Sequence, residues 1–372
     1  MKMAKLSDIV GIINKIAPIA LAEPWDNPGL QVGDPGGDVS RIMVALDPTP
    51  DVIDAALASS CQLLVTHHPL IFKPLKTLSR ATTSGDLLYK AIRGGLSVVS
   101  LHTNYDIADG GLNDVLADRI GLVNGIPLKI TATGELVKLV VFVPKDRLEQ
   151  LRSSLMPFCV TQGNYRDCTF ASGGVGTFTP LAGADPFIGA VGSLAMVEEE
   201  RLELLVPGEL VSRAIKILRA VHPYEEPAFD LYPLRNEGKK CGLGRIGRLR
   251  EPLPLAEYAA SIGKSLATSL VRYVGDPTTP VSKVALCSGG GASLLRDAAR
   301  VGADVLVTGD VKYHEARDAE DMGVALIDAG HFPTEIIMVG AMKGRLEQEL
   351  ARAGFTDCLV EECVVERDPF RM

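Results

Sequence analysis

The 372-residue sequence lacks several features that would assign it to a special class of protein. It has no excess of positive charge, since 38 Lys and Arg residues face 46 Asp and Glu residues and the formal net charge is −8. A mildly acidic surface argues against nonspecific binding to nucleic acid or to anionic membranes. No apolar run is long enough to span a bilayer. The start of the chain predicts an amphipathic helix and not a signal peptide.

Cysteines and aromatic residues are also few. The seven cysteines are scattered, their number is odd, and no two form a C-x-x-C pair. A reduced chain in the cytoplasm is therefore the simple interpretation. Aromatic residues make up 5%, with a single tryptophan, Trp25, which we expect to anchor a core. What remains is an ordinary globular composition, 47% hydrophobic and 23% charged.

Apolar, strand-like runs alternate with helical runs in both terminal parts of the chain. They read "RIMVALD", "QLLVTHH" and "LSVVSL" in the first part, and "KVALCS", "DVLVTGD" and "VALIDAG" in the last. Apolar strands separated by helices are typical of parallel sheets covered on both faces. Because the two sets align in the same order, we predict an α/β fold whose two pseudo-symmetric halves form one main domain.

The middle of the chain has a different pattern. Its runs predict the order β-α-β-β-α-β, which is the ferredoxin-like arrangement. We therefore predict that an α+β insert interrupts the main domain. The predicted segments are 1–133 for the first half, 134–240 for the ferredoxin-like insert, and 241–372 for the second half.

Histidines cluster at the ends of the predicted strands. "LLVTHHPLIF" places His67 and His68 at the tip of an apolar strand, where Pro69 favours an end to strand pairing. Consecutive side chains of a regular strand point to opposite faces, so the two rings can reach one region only where the strand has ended. All six histidines except His222 lie at or just beyond the carboxyl end of a predicted strand, where α/β folds place their sites.

The spacing of histidines and carboxylates favours a metal centre. His102 and Asp106 are four residues apart after one strand, and His331 and Glu335 are four apart after the strand that aligns with it. Imidazoles with carboxylates suit zinc, manganese, iron, cobalt or nickel. Several nitrogens with two carboxylates favour two neighbouring ions, which can lower the pKa of bound water. Carboxylates near helix starts are also common as caps or dipole partners, and that alternative stays open at this point.

Two further stretches have open interpretations. In "TGDVKYHEARDAE", His314 could carry protons, contact a substrate, or be an exposed residue at a helix start. The glycine-rich "CSGGGASLL" could cradle a phosphate on backbone amides. It matches neither the Walker motif nor the dinucleotide fingerprint, and a tight strand-to-helix turn explains its glycines without a ligand.

Together, several stretches resemble the Nif-three-like family, whose members are called GTP cyclohydrolase I type 2 homologs. They are "AEPWDNPGLQVGD", "LLVTHHPLIF", "LHTNYDIADGGLND", "VLVTGDVKYHEARDAE" and "LIDAGHFPTE". The middle segment looks like the insert of the long bacterial form, which is similar in fold to PII and CutA proteins. The resemblance implies two divalent metal ions per chain, zinc first, with manganese, iron, cobalt or nickel as alternatives. The implied ligands are His67, His68, Asp106, His331 and Glu335, with Glu335 as the bridge.

The resemblance also implies a toroidal homohexamer whose metal sites face an internal cavity. The expected function is metal-dependent hydrolysis of a nucleotide or a related small molecule, with His102 and His314 moving protons. His67 and His68 would then serve two neighbouring ions, one each. The alternative is a non-catalytic, metal-binding or regulatory hexamer whose insert senses a ligand. No organic cofactor, membrane or nucleic-acid partner is expected.

Overall fold

The computed structural model describes residues 3–370, which form two compact units. The main unit combines the described parts of Met1–Ala132 and Cys241–Met372, and the insert unit is Thr133–Lys240. Helices and several sheets are mixed along the chain, which confirms the predicted α/β class. Within the described range, no helix is both long and apolar enough to cross a membrane.

The first part of the main unit supplies four strands of a five-stranded sheet that has helices on both sides. In chain order its elements are β1 (Ala4–Lys5), α1 (Leu6–Ile16), β2 (Gly29–Val32), β3 (Asp38–Val39), β4 (Arg41–Ala45), α2 (Pro50–Ala58), β5 (Leu63–Thr66), α3 (Thr83–Arg93), β6 (Ser97–Ser100), α4 (Thr103–Ile107), α5 (Leu112–Arg119) and β7 (Val123–Thr133). Strand and helix starts follow local chemistry. For example, the Thr49 side chain accepts a hydrogen bond from the Val52 N–H, and Pro50 stands at the first helical position of α2.

The second part of the main unit repeats the alternation of strands and helices. Its elements are β12 (Lys240–Pro254), α8 (Leu255–Ser265), β13 (Arg272–Val274), β14 (Pro280–Leu286), α9 (Leu295–Arg300), β15 (Val305–Thr308), α10 (Tyr313–Met322), β16 (Ala325–Asp328), α11 (His331–Glu335), α12 (Met338–Arg352) and β17 (Leu359–Glu362). Strand β17 returns to the first sheet, whose order is β17-β4-β5-β6-β2, and the second sheet has the order β13-β16-β15-β14-β12-β7.

Each sheet has a parallel centre that is buried on both faces. Strands β4, β5 and β6 pair in parallel in one sheet, and β14, β15 and β16 do so in the other. Along β4, Ile42 and Val44 pack into one core cluster, whereas Met43 and Ala45 pack into another on the opposite face. This two-sided burial is the reason why the strands read as continuous apolar runs.

The insert unit is an antiparallel sheet with two helices on it. Its elements are β8 (Leu136–Pro144), α6 (Leu148–Leu155), β9 (Thr169–Phe178), β10 (Ala195–Pro207), α7 (Val211–Val221) and β11 (Phe229–Pro233), and the strand order is β11-β8-β10-β9. Leu151 and Leu155 of α6 and Ala214 and Leu218 of α7 share one core cluster with buried residues of β8 and β10. The insert thus has a hydrophobic core of its own.

Candidate metal centre

The two adjacent histidines lie directly after the last paired residue of β5. Regular pairing ends at Thr66, whose hydroxyl donates to the His68 carbonyl at 2.8 Å. The backbone N–H groups of His67 and His68 both donate to the Leu46 carbonyl, at 3.1 and 3.0 Å. The chain has therefore left the alternating geometry of a strand, and the two ring centroids are 5.1 Å apart. Both imidazoles reach one region, as the position of Pro69 indicated.

The other predicted ligands arrive from helices that follow β6 and β16. His331 and Glu335 are the first and last residues of α11, one turn apart, with His331 Nε2 3.0 Å from Glu335 Oε2. Asp106 lies in α4, and its Oδ1 is 3.8 Å from His67 Nε2. The structure thus brings together all five side chains that the resemblance implied, at the carboxyl ends of parallel strands.

Each of the clustered imidazoles is held by an oxygen acceptor on its Nδ1 atom. The four separations are all 2.7 Å, and the pairs are His67 with the Leu101 carbonyl, His68 with Asp47, His102 with Asp26, and His331 with Asp310. Because these oxygens only accept, each Nδ1 carries a proton, and the Nε2 atom is left to face the centre, where it can bind an ion whenever the ring is neutral. Metal-binding histidines are oriented by carboxylates and carbonyls in this way.

The inner atoms of the centre need a positively charged partner. His67 is fully buried, yet its Nε2 has no hydrogen-bond partner in the described chain, and neither has Glu335 Oε2. His67 Nε2 is 3.7 Å from Glu335 Oε1, which is too long for a hydrogen bond. Bonds of about 2.0–2.2 Å from zinc to nitrogen and oxygen place two ligands of one ion roughly 3–4 Å apart. The observed spacing therefore fits a shared divalent cation.

Two sets of donor atoms lie close enough to hold an ion. In each set the ligand atoms are all within 4.8 Å of one another, and His68 belongs to both. The sets are His67, His68 and His102 on one side, and His68, His331 and Glu335 on the other. His102, which sequence reasoning assigned to proton transfer, is thus also a candidate ligand.

The electrostatics of the centre favour positive charge beside buried carboxylates. Burial lowers the pKa of His68, but Asp47 and Glu335 outweigh it and raise the value to about 10. A protonated His331 would donate from Nε2 to Glu335 Oε2, 3.0 Å away, and this stabilisation raises the pKa of His331 to about 9. Burial acts to raise the pKa of Glu335, yet His67 and its neighbouring imidazoles hold it well below its ordinary value. Protons or divalent cations can supply the charge that this arrangement stabilises.

The glycine-rich loop after β14 makes room for the centre. Gly289 has φ +58°, and a Cβ there would lie 2.1 Å from Glu335 Oε1 and 3.1 Å from His331 Nε2. The Gly289 N–H donates to the Thr334 hydroxyl, and the Gly291 N–H donates to the Thr308 hydroxyl. The amides of Gly289 and Gly291 already have side-chain partners. The glycines of this loop therefore allow close packing around Glu335, which is the alternative to the phosphate cradle that the sequence also allowed.

The remaining histidines lie outside the cluster. His314, predicted as a proton carrier, is exposed at the start of α10, where its ring contacts Tyr313. His222 lies in the insert, where its Nε2 bonds the Phe142 carbonyl at 2.9 Å. The geometry therefore gives the predicted role of His314 no support from neighbouring side chains of the same chain.

Trp25 corrects one sequence expectation. It does not anchor a core, since 59% of its surface is exposed. Its ring lies 6.0 Å from the ring of Phe72 and 6.0 Å from that of His102, centroid to centroid. The lone tryptophan is therefore an aromatic neighbour of the histidine cluster. The expectation that Trp25 anchors a core was wrong because the residue type shows how much apolar surface is present and not whether the fold covers it.

Sequence reasoning missed the carboxylates that orient the imidazoles. Asp47 and Asp310 each lie two residues beyond a strand end, so their positions carried a signal of the same kind as that of His67. Asp26 carried none, because its partner His102 is 76 residues away in the chain. Burial raises the pKa of Asp26, but hydrogen bonds from His102 and Thr103 lower it to about 2, so the side chain stays an ionised acceptor.

A pocket of about 840 Å³ adjoins the centre. Asp47, His68 and His331 line it together with the aromatic rings of Phe332 and Phe370 and the guanidinium of Arg272. The Arg272 side chain is 73% exposed and pairs with Asp328. The centre thus opens onto a space of the size that small-molecule ligands occupy.

Comparisons with known proteins agree along the whole chain. The profile of the family described as Duf34/NIF3 (NGG1p interacting factor 3) matches residues 4–368. A Halalkalibacterium halodurans protein named GTP cyclohydrolase 1 type 2 homolog is 41% identical over 371 residues, which cover 100% of this chain and 99% of the relative. A Bacillus subtilis protein of the same name is 40% identical over 336 residues, 90% of each chain.

Solved structures give the same result. The crystal structure of a Bacillus cereus protein related to NIF3 has a TM-score of 0.92 at 36% identity and covers 100% of both chains. A Staphylococcus aureus protein has a TM-score of 0.75 at 30% identity, with 100% of this chain and 99% of that chain covered. Likeness of this extent confirms the resemblance seen in the sequence, and the chain belongs to the Duf34/NIF3 family.

Proposed function

We propose that this protein is a divalent-metal-dependent hydrolase that acts on a nucleotide or a related small molecule. The observation that carries the proposal is the pair of buried atoms without hydrogen-bond partners, His67 Nε2 and Glu335 Oε2, where four imidazoles converge beside a large pocket. The name carried by the relatives, GTP cyclohydrolase 1 type 2 homolog, supports a nucleotide-like substrate.

The residues that would hold the ions are those of the two donor sets together with Asp106. Glu335 is suited to bridge two ions, because its Oε1 faces His67 whereas its Oε2 faces His68 and His331. We propose two ions, with zinc as the first expectation. Divalent ions held by such donors act as Lewis acids and lower the pKa of water toward neutrality.

His102 is placed either to bind an ion or to hold or move a proton. The buried carboxylate of Asp26 fixes its Nδ1 proton, so the one Nε2 lone pair can bind an ion or, where no ion takes it, accept a proton at the centre. The backbone N–H of Thr103 also donates to Asp26, at 3.0 Å. This second bond keeps the carboxylate, and with it the ring, in one orientation. No such orienting carboxylate in the described chain supports a role for His314, so its predicted part in proton transfer needs a separate test.

Aromatic and cationic side chains near the centre suit a flat, anionic substrate. Trp25 and Phe72 are 59% and 43% exposed beside His102 and could stack on a heteroaromatic ring. Arg272, in the pocket on the His331 side, could pair with phosphate oxygens. Together these groups support a substrate of nucleotide type.

The experiment is turnover of a nucleotide panel that includes GTP by metal-reconstituted protein, with Glu335→Ala as the control. We expect hydrolysis of at least one member by the wild type and none by the variant. If the protein binds metal but turns over no member of the panel, the hydrolase proposal fails. That outcome would favour the alternative of a non-catalytic, metal-binding regulatory protein.

We also propose a fold for the insert, a relation between the two halves of the main unit, an oligomeric state and a location. The order β-α-β-β-α-β and the antiparallel sheet support a ferredoxin-like, PII- and CutA-like insert, and the like order of the two parallel strand groups supports related, pseudo-symmetric halves. A toroidal homohexamer is proposed from the family resemblance, and light scattering of the purified protein tests it. No cysteine in the described part of the chain forms a disulfide, which supports a cytoplasmic location.

A further inference from the structure

A second pocket lies within the insert unit and shares no lining residue with the pocket beside the metal centre. Its volume is about 410 Å³, and it is lined by residues of β8, β9 and β10 and by the loops that follow β9 and α7. Pockets of this size hold small organic ligands. Its walls include the rings of Phe142, Phe178, Phe187 and Tyr224.

The aromatic rings of this pocket meet around Tyr224. The centroid of the Tyr224 ring is 5.7 Å from that of Phe178 and 6.4 Å from that of Phe187. The neighbouring His222 fixes the position of Tyr224, because its Nδ1 accepts from the Tyr224 N–H at 3.1 Å while its Nε2 donates to the Phe142 carbonyl. His222 is thereby satisfied on both nitrogens, and the aromatic wall is preorganised.

The charges that line the pocket are all negative. Glu199, Glu225 and Glu226 contribute carboxylates, and the lining includes no lysine or arginine. Arg147 lies over one lining ring, with its Cζ 5.7 Å from the Phe187 centroid, but it is not a lining residue. Phosphate-bearing ligands would meet three lining carboxylates and no lining cation.

The Tyr224 hydroxyl lies beside the Glu199 carboxylate. The Tyr224 hydroxyl is buried and makes no hydrogen bond of standard geometry in the described chain, although the Glu199 carboxylate lies next to it. Gly176 of the neighbouring strand leaves room for this carboxylate, since a Cβ at that position would lie 2.0 Å from Glu199 Oε2. A buried hydroxyl of this kind is costly unless a ligand completes its bonding.

We infer that the pocket of the insert binds a small organic ammonium ion with a hydrophobic body. The ammonium group would lie against Glu199 and the aromatic faces, where carboxylate pairing and cation–π attraction act together. The hydrophobic body would lie between Phe178, Phe187 and Tyr224. The ligand therefore differs in charge from the nucleotide-like substrate proposed for the metal centre, and the inference does not depend on that proposal.

The test uses three probes that share one ring and differ in charge: 2-phenylethylamine, 2-phenylethanol and 3-phenylpropionate. Their binding to the full-length, chelator-treated protein is measured by isothermal titration calorimetry. We expect the amine to bind at least tenfold more tightly than the alcohol or the acid. Equal affinity for the amine and the alcohol would overturn the inference, and so would the absence of amine binding.

Variants locate the binding. Glu199→Gln should weaken binding of the amine at least tenfold, and Gly176→Ala should do the same by displacing the Glu199 carboxylate. Glu209→Gln is the matched control, an exposed glutamate of the same unit outside the pocket, and it should leave affinity unchanged. Glu335→Ala separates this pocket from the metal centre and should also leave it unchanged. Amine binding that survives Glu199→Gln in a protein with the wild-type circular dichroism spectrum, or that is lost with Glu335→Ala, would overturn the assignment.

Discussion

The two groups of parallel strands in the main unit follow the same order but end in different chemistry. Strand β5 ends at Thr66 and is followed by His67 and His68, whereas β15 ends at Thr308 and is followed by Gly309 and Asp310. The first group therefore sends imidazoles into the centre. The second sends a carboxylate that stays outside it and orients a histidine, since Asp310 lies 2.7 Å from His331 Nδ1.

Close packing explains why the second group has no histidine at the matching position. A Cβ on Gly309 would lie 2.6 Å from the carbonyl carbon of Gly330 and 2.6 Å from the backbone nitrogen of His331. The start of α11 packs directly against Gly309 and leaves no room for a side chain there. The comparison teaches that similar strand ends supply different groups: β5 delivers two imidazoles from its tip, whereas β15 delivers the carboxylate that orients His331 of α11.

Removal of the shared carboxylate should have the largest effect on the centre. Glu335 faces ligands of both strand groups, so Glu335→Ala leaves their imidazoles without the anion that both share. We expect metal affinity to fall by more than about hundredfold, beyond the effect typical of outer residues. Competition with a metallochromic chelator measures the loss. Glu257→Ala, an exposed glutamate in α8, is the control, and equal affinity in the two variants would contradict the bridging role.

Single removal of the adjacent histidines comes next. If His67 and His68 serve different ions, His67→Ala and His68→Ala should each empty or weaken one metal position before the other. Elemental analysis of metal per chain, during stepwise removal by a chelator, measures this. A content near two ions per chain in both variants would contradict the assignment of one histidine to each ion.

Loss of the orienting carboxylates should have a smaller effect, of similar size in the two strand groups. Asp47→Ala frees the ring of His68, and Asp310→Ala frees that of His331. Loss of such outer partners lowers metal affinity by about 10- to 100-fold. The same chelator competition measures both variants, with Asp318→Ala as an exposed control in α10. A large effect in one variant only would show that the two groups are not equivalent in orienting their ligands.

The smallest expected effect concerns folding stability. Gly309→Ala adds a methyl group against the start of α11 and should lower the free energy of unfolding by about 1–3 kcal/mol. Gly344→Ala is the matched control inside α12, where a Cβ meets nothing within 4 Å. It should raise that free energy by about 0.5–1 kcal/mol. Urea denaturation followed by circular dichroism compares them, and an unchanged stability of Gly309→Ala would contradict the packing argument.

Local patterns predicted the strand ends and the residues that gather there. The apolar runs before His67, His102 and His331 could be recognised as strands because a strand buried on both faces must be apolar throughout. The hydrogen bond between His102 and Asp26 could not be predicted, since 76 positions of the chain separate the two residues. The exposure of Trp25 could not be predicted either, because the local sequence pattern does not show which side chains the rest of the fold covers.

The sequence by itself determined the α/β class and the placing of histidines and carboxylates at strand ends, because both follow from local periodicity and spacing. Its motifs carried the resemblance to the family. Only the tertiary structure decided which nitrogen of each imidazole faces the centre, because that depends on acceptors such as Asp26 and Asp310 brought in from elsewhere in the chain. It also decided that Glu335 is buried among the imidazoles and that Tyr224 and Glu199 share a second pocket. Such arrangements arise from packing between distant segments, which local sequence does not record.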